Sequence, residues 1–526
     1  MSVMGIDLST QSCTVEVRAE DDFRVIGTAR SPLPATHPPV SEQRAEDWWS
    51  ALTQCMRILA GDGADLRDIR AVSVSGQCHG LVALDGAGRV IRPVKLWNDT
   101  TGTPQIERLL ERFGTEYWIT RTGSYPTAAF TIGKLAWLIE HEPDTIRRIR
   151  HILLPHDYIT WRLTGEYVTD RSEASGTGYF NSETNTYDWQ LLRDCFGEEL
   201  EDLRQLSGLS GLDGTDGLDG LDGPEPHDAL QDMLPRVEAP EHVAGLLTAE
   251  AAEALGLSAG IPVGVGGGDQ HMSAVGLGIV PGDVVLSMGT SGVVFTTWQQ
   301  PIHDLSGWVN GVADAAGGWL PLVCVLNCTK VTNWMATLLG VSVQELDRMA
   351  LSGDDARMPV MAAYLDGERS PSLPNAQAAL AGIGNEVRRE DMARAAFAGV
   401  ACGMMRGLDA LEHCGVELDG TLIMCGGGAH SLTYRQLFAD YTGKPALIVD
   451  AEEATARGAC VQAWHLLHGT ESGRGSLRGT ARKLRPAVTG ETAPRADAPR
   501  WADVKERYLR VAGFAAGYAG YGKKGA

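Results

Sequence analysis

The sequence is short of basic residues, of closely spaced cysteines and of long apolar runs. Lys and Arg total 45 against 67 Asp and Glu, which leaves a net charge of −22. So acidic a chain offers no broad nucleic-acid surface and no polybasic membrane patch, although a local cationic pocket stays open. No apolar run approaches the ~20 residues of a membrane helix. Met1 leads straight into Val3-Met4-Gly5-Ile6 and Asp7, without the charged and apolar regions of a signal peptide. Of ten cysteines only Cys324 and Cys328 lie close together. Neither a disulfide framework nor a zinc ribbon follows, and free thiols in a reducing cytoplasm are expected.

What is present is core-forming bulk. Hydrophobic residues make up 44% and charged residues 21% of 526 residues, enough for two or three domains at roughly 150 residues each. The first thirty residues predict three strands, with Val3–Ile6 apolar, Thr14–Arg18 alternating, and Val25-Ile26 opening the third after a Glu20-Asp21-Asp22 turn. A helix follows over about 44–59, where Trp48, Trp49, Leu52, Met56 and Leu59 recur at helical spacing as core residues. Residues 71–76 read as a strand running into Gln77-Cys78-His79-Gly80. Residues 207–223 (SGLSGLDGTDGLDGLDG) form a low-complexity insertion with no periodic face, and an amphipathic helix is expected from Trp501 to about Phe514.

An internal echo stands out. Asp7-Leu8-Ser9-Thr10-Gln11-Ser12 joins two apolar strands, and nearly 280 residues later Met288-Gly289-Thr290-Ser291-Gly292 does the same. Two similar domains would produce this; so would the commonness of Gly/Ser/Thr turns. Such turns let backbone N–H groups and hydroxyls converge on a phosphate. Leu422-Ile423-Met424-Cys425 ends in Gly426-Gly427-Gly428-Ala429, where small residues allow close approach of a flat ring or a sugar. Val263-Gly264-Val265-Gly266-Gly267-Gly268 leads to Asp269. That aspartate reads either as a helix N-cap or as a carboxylate open to a ligand hydroxyl. Asp7 reads either as an Asx-turn residue or as a holder of magnesium through water, and His79 as a core histidine or a ligand contact.

Eight segments in order resemble the FGGY family of carbohydrate kinases over roughly residues 5–463. They are Gly76-Gln77-Cys78-His79-Gly80, Leu96-Trp97-Asn98-Asp99, Leu154-Pro155-His156-Asp157-Tyr158, Leu163-Thr164-Gly165-Glu166, Gly266-Gly267-Gly268-Asp269, Ser287-Met288-Gly289-Thr290-Ser291-Gly292, Tyr364-Leu365-Asp366-Gly367-Glu368-Arg369 and Gly426-Gly427-Gly428-Ala429. The resemblance implies an α/β fold of two actin-like ATPase (ribonuclease H-like) domains, each a mixed β-sheet flanked by helices, with the active site in the interdomain cleft. The expected division is 1–270, carrying the sugar site, and 271–526, carrying the adenosine site.

By matched motif positions, Asp269 is implied as general base, and Asp7 as the catalytic, metal-associated aspartate holding Mg2+. Cys78, His79, Trp97, Asn98, Asp269 and Gln270 are implied sugar contacts. Thr10, Gln11 and Ser12 form the first phosphate turn and Gly289 and Thr290 the second. Trp334, Gly427, Gly428 and Ala429 are implied at the nucleotide. ATP and Mg2+ are the implied cofactors, and a ketopentose, D-xylulose, the implied acceptor. No nucleic-acid or membrane partner is expected, a homodimer is compatible, and the location is cytoplasmic. Cys78 stands where Met is usual, Thr100-Thr101 where Gly-Arg is usual, and Gln270 where Asn is common; all border the expected sugar site. The alternatives are a kinase for another ketopentose or polyol, and a non-sugar actin-like ATPase serving as chaperone or filament subunit.

Overall fold

The structure, a computed structural model, describes residues 1–205, 233–469 and 475–518. The 207–223 insertion lies outside them. The chain divides into two compact units, the first comprising 1–278, 312–318 and 453–485 and the second 279–311, 319–452 and 486–526. Both are α/β.

In the first unit the sheet runs Val243–Leu246, Pro262–Gly264, Ile69–Gly76, Ser2–Leu8, Ser12–Ala19, Val25–Pro32, with Gly267–Gly268 also pairing on Ile69–Gly76. Ser2–Leu8 pairs antiparallel with its hairpin mate (Asp7 opposite Thr14) and parallel with Ile69–Gly76 (Asp7 opposite Ser75). Side chains alternate between faces of a strand. Met4, Ile6 and Leu8 therefore share one core with Trp48, Leu52, Cys55, Met56 and Leu59 of the helix Ala45–Gly61. The helix confirms the expected stripe, although Trp49 sits at its margin, half-buried under the Arg162 guanidinium at 4.3 Å.

Val3, Gly5 and Asp7 point to the opposite face. There Val3 packs with Met272 and Val275 of the helix Asp269–Leu277 and with Ala459, Cys460 and Val461 of the helix Ala454–His468. These two helices touch through glycines, because a Cβ on Gly276 would stand 1.9 Å from the Ala454 carbonyl and one on Gly458 1.8 Å from that of Met272. The alternation thus puts Asp7 on the sheet face that carries the Asp269 helix.

The second unit repeats the plan. Its sheet runs Trp319–Val325, Gly292–Phe295, Val284–Met288, Leu422–Cys425, Ala446–Val449, Val488–Thr492. Val284–Met288 is again antiparallel to its hairpin mate and parallel to a later strand, with Ser287 opposite Val293 and Cys425. The echo in the sequence is therefore a duplication of sheet topology. The helix Arg389–His413, rich in alanine, packs its buried face into the core with Leu286, Val294 and Val323. Trp501–Gly517 is helical, and Trp501, Val504, Tyr508, Ala512 and Ala515 form its buried stripe. The ten cysteines are all free. Among the described residues no helix is long and apolar enough to cross a membrane.

Candidate active site

Asp269 is the first residue of its helix. Gly268 is the N-cap and no side chain caps the end, so the N-cap reading of Asp269 does not hold. Its Oδ1 accepts instead from the N–H of Gln270 at 2.7 Å and from the Cys78 thiol at 3.4 Å. Burial pushes the carboxyl above the usual carboxylate range, and these two bonds only partly oppose the shift.

Asp7 lies within a strand, so it is no Asx-turn residue. Its Oδ1 is buried without a hydrogen-bond partner. Burial raises its carboxyl well above the ordinary value, the negative charges of Asp269 and Glu453 add to this, and Arg30 opposes them. A buried carboxylate oxygen with no donor, close to other carboxylates, suits a hard cation. Ser75 Oγ, beside Asp7 in register, is likewise unpartnered, as are Gln77 Nε2, Asn98 Oδ1 and Gln270 Oε1. Polar atoms left this way fit a polyhydroxylated ligand.

The first turn is tied down through its side chains. Thr10 Oγ1 donates to Gln77 Oε1 and accepts from Trp97 Nε1, both at 2.9 Å, while Gln43 holds the Thr10 carbonyl at 2.8 Å. Ser12 Oγ accepts from Arg30 at 2.9 Å, and Gln11 is exposed at the tip. The hydroxyls of Thr10 and Ser12 are engaged, so an anion at this turn would meet backbone N–H groups. Trp97, expected at the sugar, also serves to fix the turn.

Cys78 and His79 leave the strand Ile69–Gly76 at its C-terminal end. His79 adopts a left-handed backbone, φ 66°, which is uncommon outside glycine. Its N–H donates to Glu173 Oε1 at 2.6 Å and its ring stacks on Phe130 at 5.2 Å. Glu173 is fully buried, and burial pushes its carboxyl up to about 8. Local sequence gave no sign of Glu173, which lies 94 residues beyond His79 in a five-residue helix capped by Asp170. Gly268 closes the group, because a Cβ there would stand 2.8 Å from Cys78 Sγ, Glu173 Oε2 and His271 Nδ1 alike.

In the second unit the Gly289-Thr290 turn is exposed. Its carbonyls are held by the start of the helix Thr329–Leu339: Thr329 N–H and Oγ1 donate to Gly289 O at 3.1 and 2.8 Å, and Cys328 N–H to Thr290 O at 3.3 Å. Trp334 lies on this helix, 38% exposed. The glycine run has divided duties. A Cβ on Gly426 would come within 2.8 Å of Met288 O, and one on Gly428 within 2.8 Å of Met288 Cβ, so both are packing requirements. Gly427 alone faces open space. Ala429 is buried, so its side chain belongs to the core.

Residues 2–209 match the N-terminal domain, and 284–467 the C-terminal domain, of the FGGY family of carbohydrate kinases. The chain is 38% identical over 471 residues to the xylulose kinase of Streptomyces rubiginosus, covering 89% of each. It is 32% identical over 447 residues to that of Escherichia coli K12, covering 84% of this chain and 85% of the relative. Among solved structures, the xylulose kinase of Bifidobacterium adolescentis superposes with a TM-score of 0.81 at 30% identity, over 97% of this chain and 99% of that one. Two mixed sheets of duplicated topology, with glycine and hydroxyl turns at matching strand ends, are the framework of a carbohydrate kinase. The chain belongs to the FGGY family of these enzymes and, as a kinase, uses ATP.

Proposed function

We propose that the enzyme transfers the γ-phosphoryl group of ATP to D-xylulose, giving D-xylulose 5-phosphate and ADP, in the cytoplasm. The relatives described above carry the name xylulose kinase, and this supports the choice of sugar. The observation that carries the chemistry is Asp269, a half-buried carboxylate of raised pKa on the same sheet face as the unpartnered oxygen of Asp7. A carboxylate with a raised pKa is the stronger base. Asp269 takes the proton of the attacking hydroxyl as its oxygen bonds to phosphorus and the bond to ADP breaks.

Cys78, His79, Trp97, Asn98 and Gln270 orient the sugar in this reading. The unpartnered amide oxygens of Asn98 and Gln270 accept from its hydroxyls. The backbone N–H groups of Thr10, Gln11 and Thr290 hold phosphate oxygens, since those of Ser12 and Gly289 are spent on Ser9 Oγ and Ser291 O, and Trp334 and Gly427 meet the adenosine. Asp7 would hold Mg2+, which neutralises charge on the phosphates as they transfer. A panel of ketopentoses and polyols, assayed by coupled ADP formation, tests the proposal. D-xylulose should give the highest kcat/KM; preference for another sugar, or ADP release independent of sugar, would refute it.

A further inference from the structure

Cys78, His79 and Glu173 present a thiol sulfur, an imidazole nitrogen and a carboxylate oxygen, all within 4.8 Å of one another. Their positions are built. The left-handed backbone of His79 and its N–H bond to Glu173 hold the pair together, Phe130 supports the ring, and Asp170 caps the helix that carries Glu173. Gly268 leaves room where these side chains converge, since any Cβ would stand 2.8 Å from Cys78 Sγ and Glu173 Oε2.

We propose that Cys78, His79 and Glu173 form a site for a borderline-soft divalent ion of the Zn2+ type, separate from the magnesium position at Asp7. One thiolate, one imidazole and one carboxylate make a donor set suited to zinc, whereas Mg2+ takes oxygen ligands. Tetrahedral zinc, with bonds of about 2.3 Å to sulfur and about 2.0–2.2 Å to nitrogen and oxygen, needs ligand atoms roughly 3.4–3.6 Å apart. His79 Nδ1 and Glu173 Oε1 stand 3.8 Å apart and every ligand pair lies within 4.8 Å, so side-chain rotations that move the ligand atoms by about an ångström would complete the triangle. Asp269 Oδ1, 3.4 Å from Cys78 Sγ, is the adjacent candidate for the fourth position, which water would otherwise fill. As the sulfur–metal bond forms, the thiol proton leaves to solvent.

A filled site would remove two groups assigned above to the sugar. Zinc should therefore inhibit the kinase in competition with the sugar, a consequence that rests on the proposed function, whereas the site itself does not.

Titration of the metal-free enzyme with Co2+ should develop a thiolate-to-cobalt charge-transfer absorption that saturates at one equivalent and is abolished by Zn2+. Cys78→Ser and Cys78→Ala proteins, each checked for folding by circular dichroism, should lack this absorption. The parent should show a zinc-dependent rise in Tm, and these variants should lose it. Absence of a sulfur-to-cobalt band in the parent, or its survival in both variants, would overturn the site. A band that depends on Cys78, together with zinc inhibition indifferent to sugar concentration, would uphold the metal site and reject the placement of the sugar.

Discussion

The two hairpins share a topology and differ in what stands at one strand position. In the first unit Asp7 lies between Thr14 and Ser75; in the second Ser287 lies between Val293 and Cys425. The first turn is stitched by side chains to the segment carrying Gln77 and Trp97, whereas the second is held through its carbonyls by the start of a helix. One framework has thus been given a carboxylate at this strand position in one copy and a hydroxyl beside a side-chain-poor turn in the other. Buried carboxylates divide by their donors rather than by unit, for Asp170 of the first unit is held below its ordinary value and Glu368 of the second is pushed above it. Asp7 and Asp269 lie above the ordinary carboxylate range. Asp391 of the second unit is fully buried. Burial works against its charge, yet the N–H groups of Asp354 and Arg388, with the Arg388 and Arg357 side chains, more than offset this and hold it well below that range. Fully donated carboxylates are structural; those left short of donors are available for chemistry.

The largest test of that contrast is Asp269→Asn. It keeps the shape but removes the base, so kcat should fall about 10²- to 10⁴-fold, or roughly 3–5 kcal/mol of barrier. Fluorescent-nucleotide titration should find ATP affinity nearly unchanged. Near-normal turnover by the folded variant would break the assignment.

Asp-to-Asn changes at positions 391 and 7 should have opposite signs in stability. Asp391→Asn gives up charge-assisted bonds and should cost about 1–3 kcal/mol at neutral pH. Its folded pKa is depressed, so the stabilisation is present above the unfolded value of 3.8 and is lost as pH falls. Melting curves of parent and variant should therefore converge in acid. Asp7→Asn, by contrast, relieves a buried charge beside other carboxylates and should raise Tm in metal-free buffer while activity falls. A lower Tm would show that Asp7 is held as Asp391 is.

Glycine-to-alanine changes sharpen the comparison on a smaller scale. Gly268→Ala forces a methyl among Cys78, Glu173 and His271, and overpacking of this kind costs about 1–3 kcal/mol. Gly427→Ala meets nothing within 4 Å, so its stability should change by less than about 0.5 kcal/mol. If Gly427 borders the adenosine, KM for ATP should rise while that for sugar stays put. Equal Tm losses at the two glycines would contradict the open and closed surroundings described here.

Much of this was legible from local pattern. The hairpins, the stripe of the Ala45–Gly61 helix and the glycine runs all appear as periodicity or as small residues at strand ends. Roles within the runs were not legible. Gly426, Gly427 and Gly428 look alike in sequence, and only the position of Met288 makes two of them packing requirements and leaves one open. On position alone Asp269 read more readily as a cap, and the backbone settled the matter by starting the helix at Asp269 itself, one residue earlier than a cap at that position requires.

By itself the sequence determined which segments are strands and helices, which face of each is apolar, and where the chain turns tightly enough to receive an anion. Those properties are local, because periodicity and backbone freedom act over a few residues. Tertiary structure alone decided that Glu173 would stand beside His79, and that the helix Ala454–His468 would return to the first unit and press on the Asp269 helix through Gly276 and Gly458. Such meetings join residues about 90 to 180 positions apart. They depend on whether two surfaces fit at van der Waals distance, a condition that no single stretch of sequence contains.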